Sequence, residues 1–316
     1  MVSKELLMDA SFFQAARKGN NSLGLFFVTL GLLILAFFVG QAPLTYYLVQ
    51  EPGTLDANQG FNPVDLGLSP AYGLFLVTFP FILGLLVLLG GVQLLHKRPW
   101  TSLIRGFQKP NWYKYWLAFG AWFLICAVGE LVMWALHPEA YHLSFQPNLF
   151  FPVLLVAFFV LPLQTSLEEL LFRGYLLQGI TISSQKPWLA LAVTSLLFGL
   201  LHGTNPEVQA IGPIALSYYI GVGAFLGLLT LLDQGTELAL GLHAANNVFG
   251  ATMVSFPSSA FQMPTIFRSD EFDFPLMMAV WVVMAGAFFL LSKRMFGANW
   301  NWKSLLSFEV NDEEMM

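Results

Sequence analysis

The sequence predicts an all-α, polytopic membrane helix bundle of about eight transmembrane helices, with both termini on the cytoplasmic side. Three observations carry this. Hydrophobic residues fill 56% of the 316 positions and charged residues 10%, an imbalance that a soluble core with a solvated surface does not accommodate. Several apolar runs reach the roughly 20 residues that a helix needs to cross hydrocarbon. Lysine and arginine gather in alternate connections between those runs.

The runs fall at 23–39, 72–95, 115–136, 150–180, 188–201, 211–232, 238–254 and 274–291, the fifth and seventh being short or polar. The first is longer than the roughly 7–15-residue apolar core of a signal peptide and follows a long leader, so it reads as a span. Within 1–22, Leu6, Leu7, Phe12 and Phe13 among charges suit a short helix lying on the membrane surface. Connections 51–70 and 257–273 are rich in Pro, Gly, Asn and Asp, and read as turns that cap the bundle on its outer face. With eight spans, one side holds Lys4, Arg17, Lys18, Lys97, Arg98, Arg105, Lys109, Lys114, Lys186, Lys293, Arg294 and Lys303, while the other holds Arg268 alone. Retention of cationic segments in the cytoplasm then sets both termini there and favours an even count. The cell membrane is the expected location. The chain divides into 1–149, a surface segment and three spans; 150–255, four spans rich in polar residues; and 256–316, an outer loop, the last span and a cytoplasmic tail.

A formal charge of −5 and the lack of a basic tract exclude nucleic acid as a partner. Cys126 is the single cysteine and sits in an apolar run, so an intrachain disulfide and a cysteine metal cluster are excluded, and packing is its expected role. Trp112, Tyr113, Tyr115, Trp188, Trp300 and Trp302 read as interface anchors.

A charge at the centre of a membrane helix costs at least about 2.5–3.5 kcal/mol, so each needs a partner, a wet cavity or a task. Such residues concentrate in three segments: Ser166 to Tyr175, Phe198 to His202 and His243 to Asn247. Glu169 and Arg173 stand four apart with the acid nearer the amino terminus, the orientation that favours an ion pair along a helix. Glu168 lies about 100° round the helix from Glu169, leaving it the freer base. His243 and Asn247 share a face four residues apart, and Phe198 and His202 repeat the spacing. A carboxylate, two imidazoles and a carboxamide on three helices form an inventory for activating water and stabilising an oxyanion. Asn246 reads as a helix-to-helix hydrogen bonder outside the site. Glu130 is isolated, and facing the cleft, binding another helix or lying at the outer interface all stay open for it. His137, Glu139 and His142 read as a solvated connection rather than a metal site.

These segments resemble the motifs of the CAAX protease and bacteriocin-processing family of intramembrane endopeptidases, relatives of the Ras-converting CAAX prenyl protease. Glu168, Glu169 and Arg173 match its Glu-Glu-x-x-x-Arg; Phe198 and His202 match Phe-x-x-x-His; His243 and Asn247 match His-x-x-x-Asn. Three motifs in order within about 80 residues of a polytopic chain are far more specific than any one alone. The resemblance covers roughly 150–254. It implies a CAAX-protease-like catalytic core and a cleft open to lipid and cytosol, where water attacks a peptide bond of a membrane-anchored protein or peptide substrate. In that picture Glu168, assisted by His202, deprotonates water; His243 and Asn247 stabilise the tetrahedral oxyanion; Glu169 and Arg173 hold the first motif in shape.

The expected mechanism requires no cofactor, because a zinc ligated by a glutamate would leave no free base. The alternative is a divalent metal such as zinc held by Glu168, His202 and His243 with a position left for water. Two other functions stay open: a non-proteolytic membrane adaptor or bacteriocin-immunity protein of the same fold, and a transporter or proton relay, for which intramembrane Glu and His are equally suited. Neither repeats nor paired discontinuous helices favour the transporter.

Overall fold

Hydrocarbon offers no water to an amide, so a chain this apolar must satisfy its backbone within each crossing segment, and helices do so. The structure, a computed structural model, describes residues 11–50, 61–260, 262–297, 300 and 302–306, and helices account for most of them. They are α1 (Ser11–Arg17), α2 (Leu23–Gln50), α3 (Pro70–Gly90), α4 (Trp112–Leu136), α5 (Pro147–Glu169) and α6 (Leu177–Ser184). Then come α7 (Pro187–Leu201), α8 (Pro206–Ile211), α9 (Leu216–Asp233), α10 (Glu237–Thr252) and α11 (Phe274–Phe296). A π-helical turn, Leu170–Leu176, joins α5 to α6 in one continuous run of 38 residues. Among the described residues six helical runs are long and apolar enough to cross a membrane, and α7 is a shorter apolar helix. The protein is an all-α polytopic membrane bundle.

Most spans match expectation to within a few residues, and the differences have local causes. α2 continues to Gln50 instead of stopping near 39, because Pro43 is carried inside the helix; a membrane helix tolerates proline where neighbouring groups take up the freed carbonyl. The run expected from 211 is broken at Gly212, whose φ of 97° ends α8 before Pro213 opens a new turn leading to α9. α10 is buried on nearly every side, packed between α4, α5 and α9. A helix shielded from lipid by other helices carries His and Asn without exposing them to acyl chains, which is why its sequence looked polar for a span. It approaches α4 so closely that a Cβ on Gly241 would strike the Tyr115 carbonyl.

One end of the bundle gathers cations. Arg105 bonds Asp233 at 3.2 Å and Glu237 at 2.8 Å, and Lys114 reaches the other Asp233 oxygen at 2.5 Å, pinning the α9–α10 turn. α1 docks at this end, but not as a surface helix: Phe12 and Phe13 are buried against Leu177, Ala190 and Leu231, while Leu6 and Leu7 lie outside the described residues. Tyr115, expected at the interface, is also buried, in the cluster that holds Leu103 and Ala244. Trp112, Tyr113, Trp188 and Trp302 are exposed.

The opposite end carries a small sheet in the order β1 (Tyr141–Leu143), β3 (Phe267–Ser269), β2 (Val254–Ser255), with β1–β3 antiparallel and β2–β3 parallel. The two outer connections meet there, as Phe61 N–H donates to the Ala260 carbonyl and Gln262 N–H to that of Phe61. Residues 51–60 of the first connection lie outside the described residues.

Candidate active site

α5 and its π-helical continuation present the two glutamates in opposite settings. Glu169 is fully buried and its Oε1 accepts Arg173 Nη1–H at 2.8 Å. Arg173 in turn donates to the Gly223 carbonyl at 3.2 Å and lies 4.3 Å over the Phe198 ring. The same Glu169 oxygen receives His243 Nδ1 at 2.7 Å. An ion-paired carboxylate only accepts, so Nδ1 carries the hydrogen and Nε2 points onward with its lone pair or, in the imidazolium, a second N–H.

Glu168 faces a cavity of about 810 Å³ instead. Its Oε1 accepts Gln164 Nε2–H at 2.8 Å, and its Oε2 lies 3.5 Å from His243 Nε2. Gln164 Oε1 accepts Asn247 Nδ2–H at 2.9 Å, so one carboxamide ties the third motif to the first. Asn246, set outside the site on sequence, donates to Asn247 Oδ1 at 3.4 Å and accepts from Trp122 Nε1 at 3.3 Å. It also lines the cavity.

His202 caps the end of α7 across the same cavity. Its Nδ1 bonds the Phe198 carbonyl at 2.7 Å rather than Glu168, and its ring stacks on Tyr219 with centroids 4.4 Å apart and planes 18° from parallel. The Tyr219 hydroxyl accepts from Asn205 at 3.0 Å and donates to Glu207 at 3.3 Å, and Glu207 accepts the Ala260 N–H at 2.8 Å. Burial pushes the Glu207 carboxyl above the ordinary range. Of the residues singled out on sequence, Glu168, His202, His243 and Asn247 thus line one cavity, with Glu169 and Arg173 packed behind it. Four contributors were missed: Gln164, Asn205, Glu207 and Tyr219. Gln164 alone left a trace, standing one helical turn before Glu168.

Glu130 also lines the cavity and accepts the Tyr141 hydroxyl at 2.6 Å. His142 pairs with exposed Asp270 at 2.6 Å, and His137 lies 3.8 Å from exposed Glu139. Among the described residues no three His, Cys, Asp or Glu side chains are gathered as metal ligands. In His202 and His243 alike Nδ1 is engaged by an oxygen acceptor, the Phe198 carbonyl and the Glu169 carboxylate, which leaves Nε2 as the ring nitrogen open to the cavity, and His243 Nε2 lies 3.5 Å from Glu168.

The cavity runs from mid-bundle to the end carrying the sheet and residues 61 and 260, away from the cation-bearing end.

Fold and site together define a polytopic membrane protein that buries a carboxylate–imidazole constellation beside a cavity of about 810 Å³. The Rce1-like type II CAAX prenyl endopeptidase family matches residues 147–249, which run from the start of α5 through most of α10. The uncharacterized protein YyaK of Bacillus subtilis (strain 168) is 30% identical over 260 residues, covering 79% of this chain and 84% of that protein. The chain belongs to this Rce1-like family of membrane endopeptidases. No solved structure matches it.

Proposed function

We propose that the protein is an intramembrane endopeptidase that hydrolyses a peptide bond of a membrane-anchored protein or peptide with water activated by Glu168. The observation that carries this is the split between adjacent carboxylates: Glu169 neutralised by Arg173 and bonded to His243, Glu168 held in the cavity 3.5 Å from the far side of the same imidazole.

Water bound in the cavity gives its proton to Glu168 as its oxygen attacks the carbonyl carbon, and Gln164 keeps the carboxylate aimed. The tetrahedral oxyanion is met by an Asn247 amide hydrogen and, in the imidazolium, by His243 Nε2–H, the ring being held in place by the Glu169 carboxylate at Nδ1. Glu168 then returns its proton to the departing amine, leaving a new carboxylate and a new amino terminus. His202, fixed by the Phe198 carbonyl and the Tyr219 ring, lines the opposite wall, where it orients the water or the leaving group. Every step uses the chain's own groups.

The test is reconstitution of purified protein with native membrane proteins and sequencing of new termini by mass spectrometry. Cleavage by the wild type that Glu168→Ala and His243→Ala each abolish, with His202→Ala impaired, is the expected result. Undiminished cleavage by Glu168→Ala ends the reading.

A further inference from the structure

The cavity draws its lining from one half of the bundle only. Its floor is Gln164, Glu168 and His243 at mid-helix, and its wall climbs past Glu130 to Ala260 and Asp273. Neither 96–115, 176–190 nor the α9–α10 turn contributes.

Those silent segments belong to the cation-bearing end. Asn20 N–H donates to the His96 carbonyl, Gln178 to those of Phe12 and Ser102, Arg105 reaches Asp233, and Lys114 lies over the Phe296 ring at the end of α11. These bonds bring the starts and ends of the helices to one face, together with every described lysine and arginine except Arg173, inside the bundle, and Arg268, on β3. Short cationic connections are retained in the cytoplasm during insertion. The face with the cations is therefore cytoplasmic and the face with the cavity is not.

The lining's charge agrees with a particular occupant. Glu130, Glu168, Glu271 and Asp273 line the cavity, and among the described residues no lysine or arginine does. Along the wall a free carboxyl terminus would meet carboxylates and no lysine or arginine, the imidazoles lying deeper at His202 and His243, whereas an uncharged or cationic stretch meets an accommodating field.

We propose that the catalytic cavity is loaded from the non-cytoplasmic face, and that the substrate is an uncharged or cationic stretch of polypeptide on that side of the membrane. Calling the occupant a substrate rests on the endopeptidase reading; the side and charge of the cavity do not, so the test measures them without requiring cleavage.

In a Cys126→Ala background, single cysteines are placed at Thr204, exposed at the cavity wall, at Gly250, where a Cβ meets open space beside the cavity, and at Lys186, exposed at the cation end. The probes are two membrane-impermeant methanethiosulfonates, one trimethylammonium-bearing and one sulfonate-bearing. In intact cells Thr204→Cys and Gly250→Cys gain the adduct mass and Lys186→Cys does not; in inverted vesicles the pattern reverses. Gly250→Cys reacts faster with the cationic reagent than with the anionic one, by a larger factor than Lys186→Cys. Modification of the cavity cysteines only in inverted vesicles overturns the proposal. So does silence at both in intact cells while the detergent-solubilised protein reacts. Equal or inverted reagent preference overturns the charge assignment.

Discussion

Replacing Glu169 by glutamine keeps its size but removes the charge that neutralises Arg173, and both side chains are within 1% of full burial. The stranded guanidinium keeps the Gly223 carbonyl and the Phe198 and Phe172 ring faces but loses its paired carboxylate. Removing one partner of a buried pair destabilises by about 3–5 kcal/mol, because an uncompensated charge is left in a low-dielectric site. A double variant, Glu169→Gln with Arg173→Met, removes both charges and should recover most of that loss. The rate should not recover, since His243 Nδ1 still lacks the carboxylate that orients its ring, and loss of an oriented oxyanion donor lowers turnover by about 10²–10³. Unfolding of detergent-solubilised protein followed by circular dichroism, alongside the terminus assay, reads both quantities. A single variant as stable as wild type would refute the buried-pair argument. A double variant with wild-type turnover would refute the coupling of Glu169 to His243.

Three further outcomes follow from the same geometry. Gln164→Leu strips Glu168 and Asn247 of a shared partner, so turnover should fall about 10²-fold or more, on the scale of losing an oriented base, while the fold persists; unchanged turnover in steady-state cleavage would count against the carboxamide bridge. Gly241→Val forces α10 away from the Tyr115 backbone and should destabilise by about 1–3 kcal/mol through overpacking, seen as a lower thermal midpoint; a midpoint equal to wild type would contradict the close approach. Burial raises the Glu207 carboxyl, so the fold favours its protonated form. The stabilisation tied to that proton is complete below the ordinary carboxylate range, about pH 4.3, and is lost as pH rises through the raised value. Glu207→Gln stays neutral throughout and should flatten that stretch of the stability curve; superimposable pH–stability curves for the two proteins would rule this out.

Composition and apolar run length determined the class of fold, because a helix is the solution that satisfies an amide in lipid one segment at a time, and run length is a local property of sequence. Helical spacing likewise assigned Glu169 to Arg173, since residues four apart meet within a single element whatever surrounds it. The structure then decided what depends on more than one element. The bridge from Asn247 through Gln164 to Glu168, and the second use of Glu169 as the anchor of His243, join helices 74 and more residues apart in sequence. The stacking of Tyr219 on His202 and its tie through Glu207 to Ala260 join three segments that no periodicity connects. Burial of Phe12 and Tyr115 was illegible for the same reason: an aromatic ring is equally apolar at the lipid surface and in a helix–helix seam, and only the packing of neighbours tells the two apart.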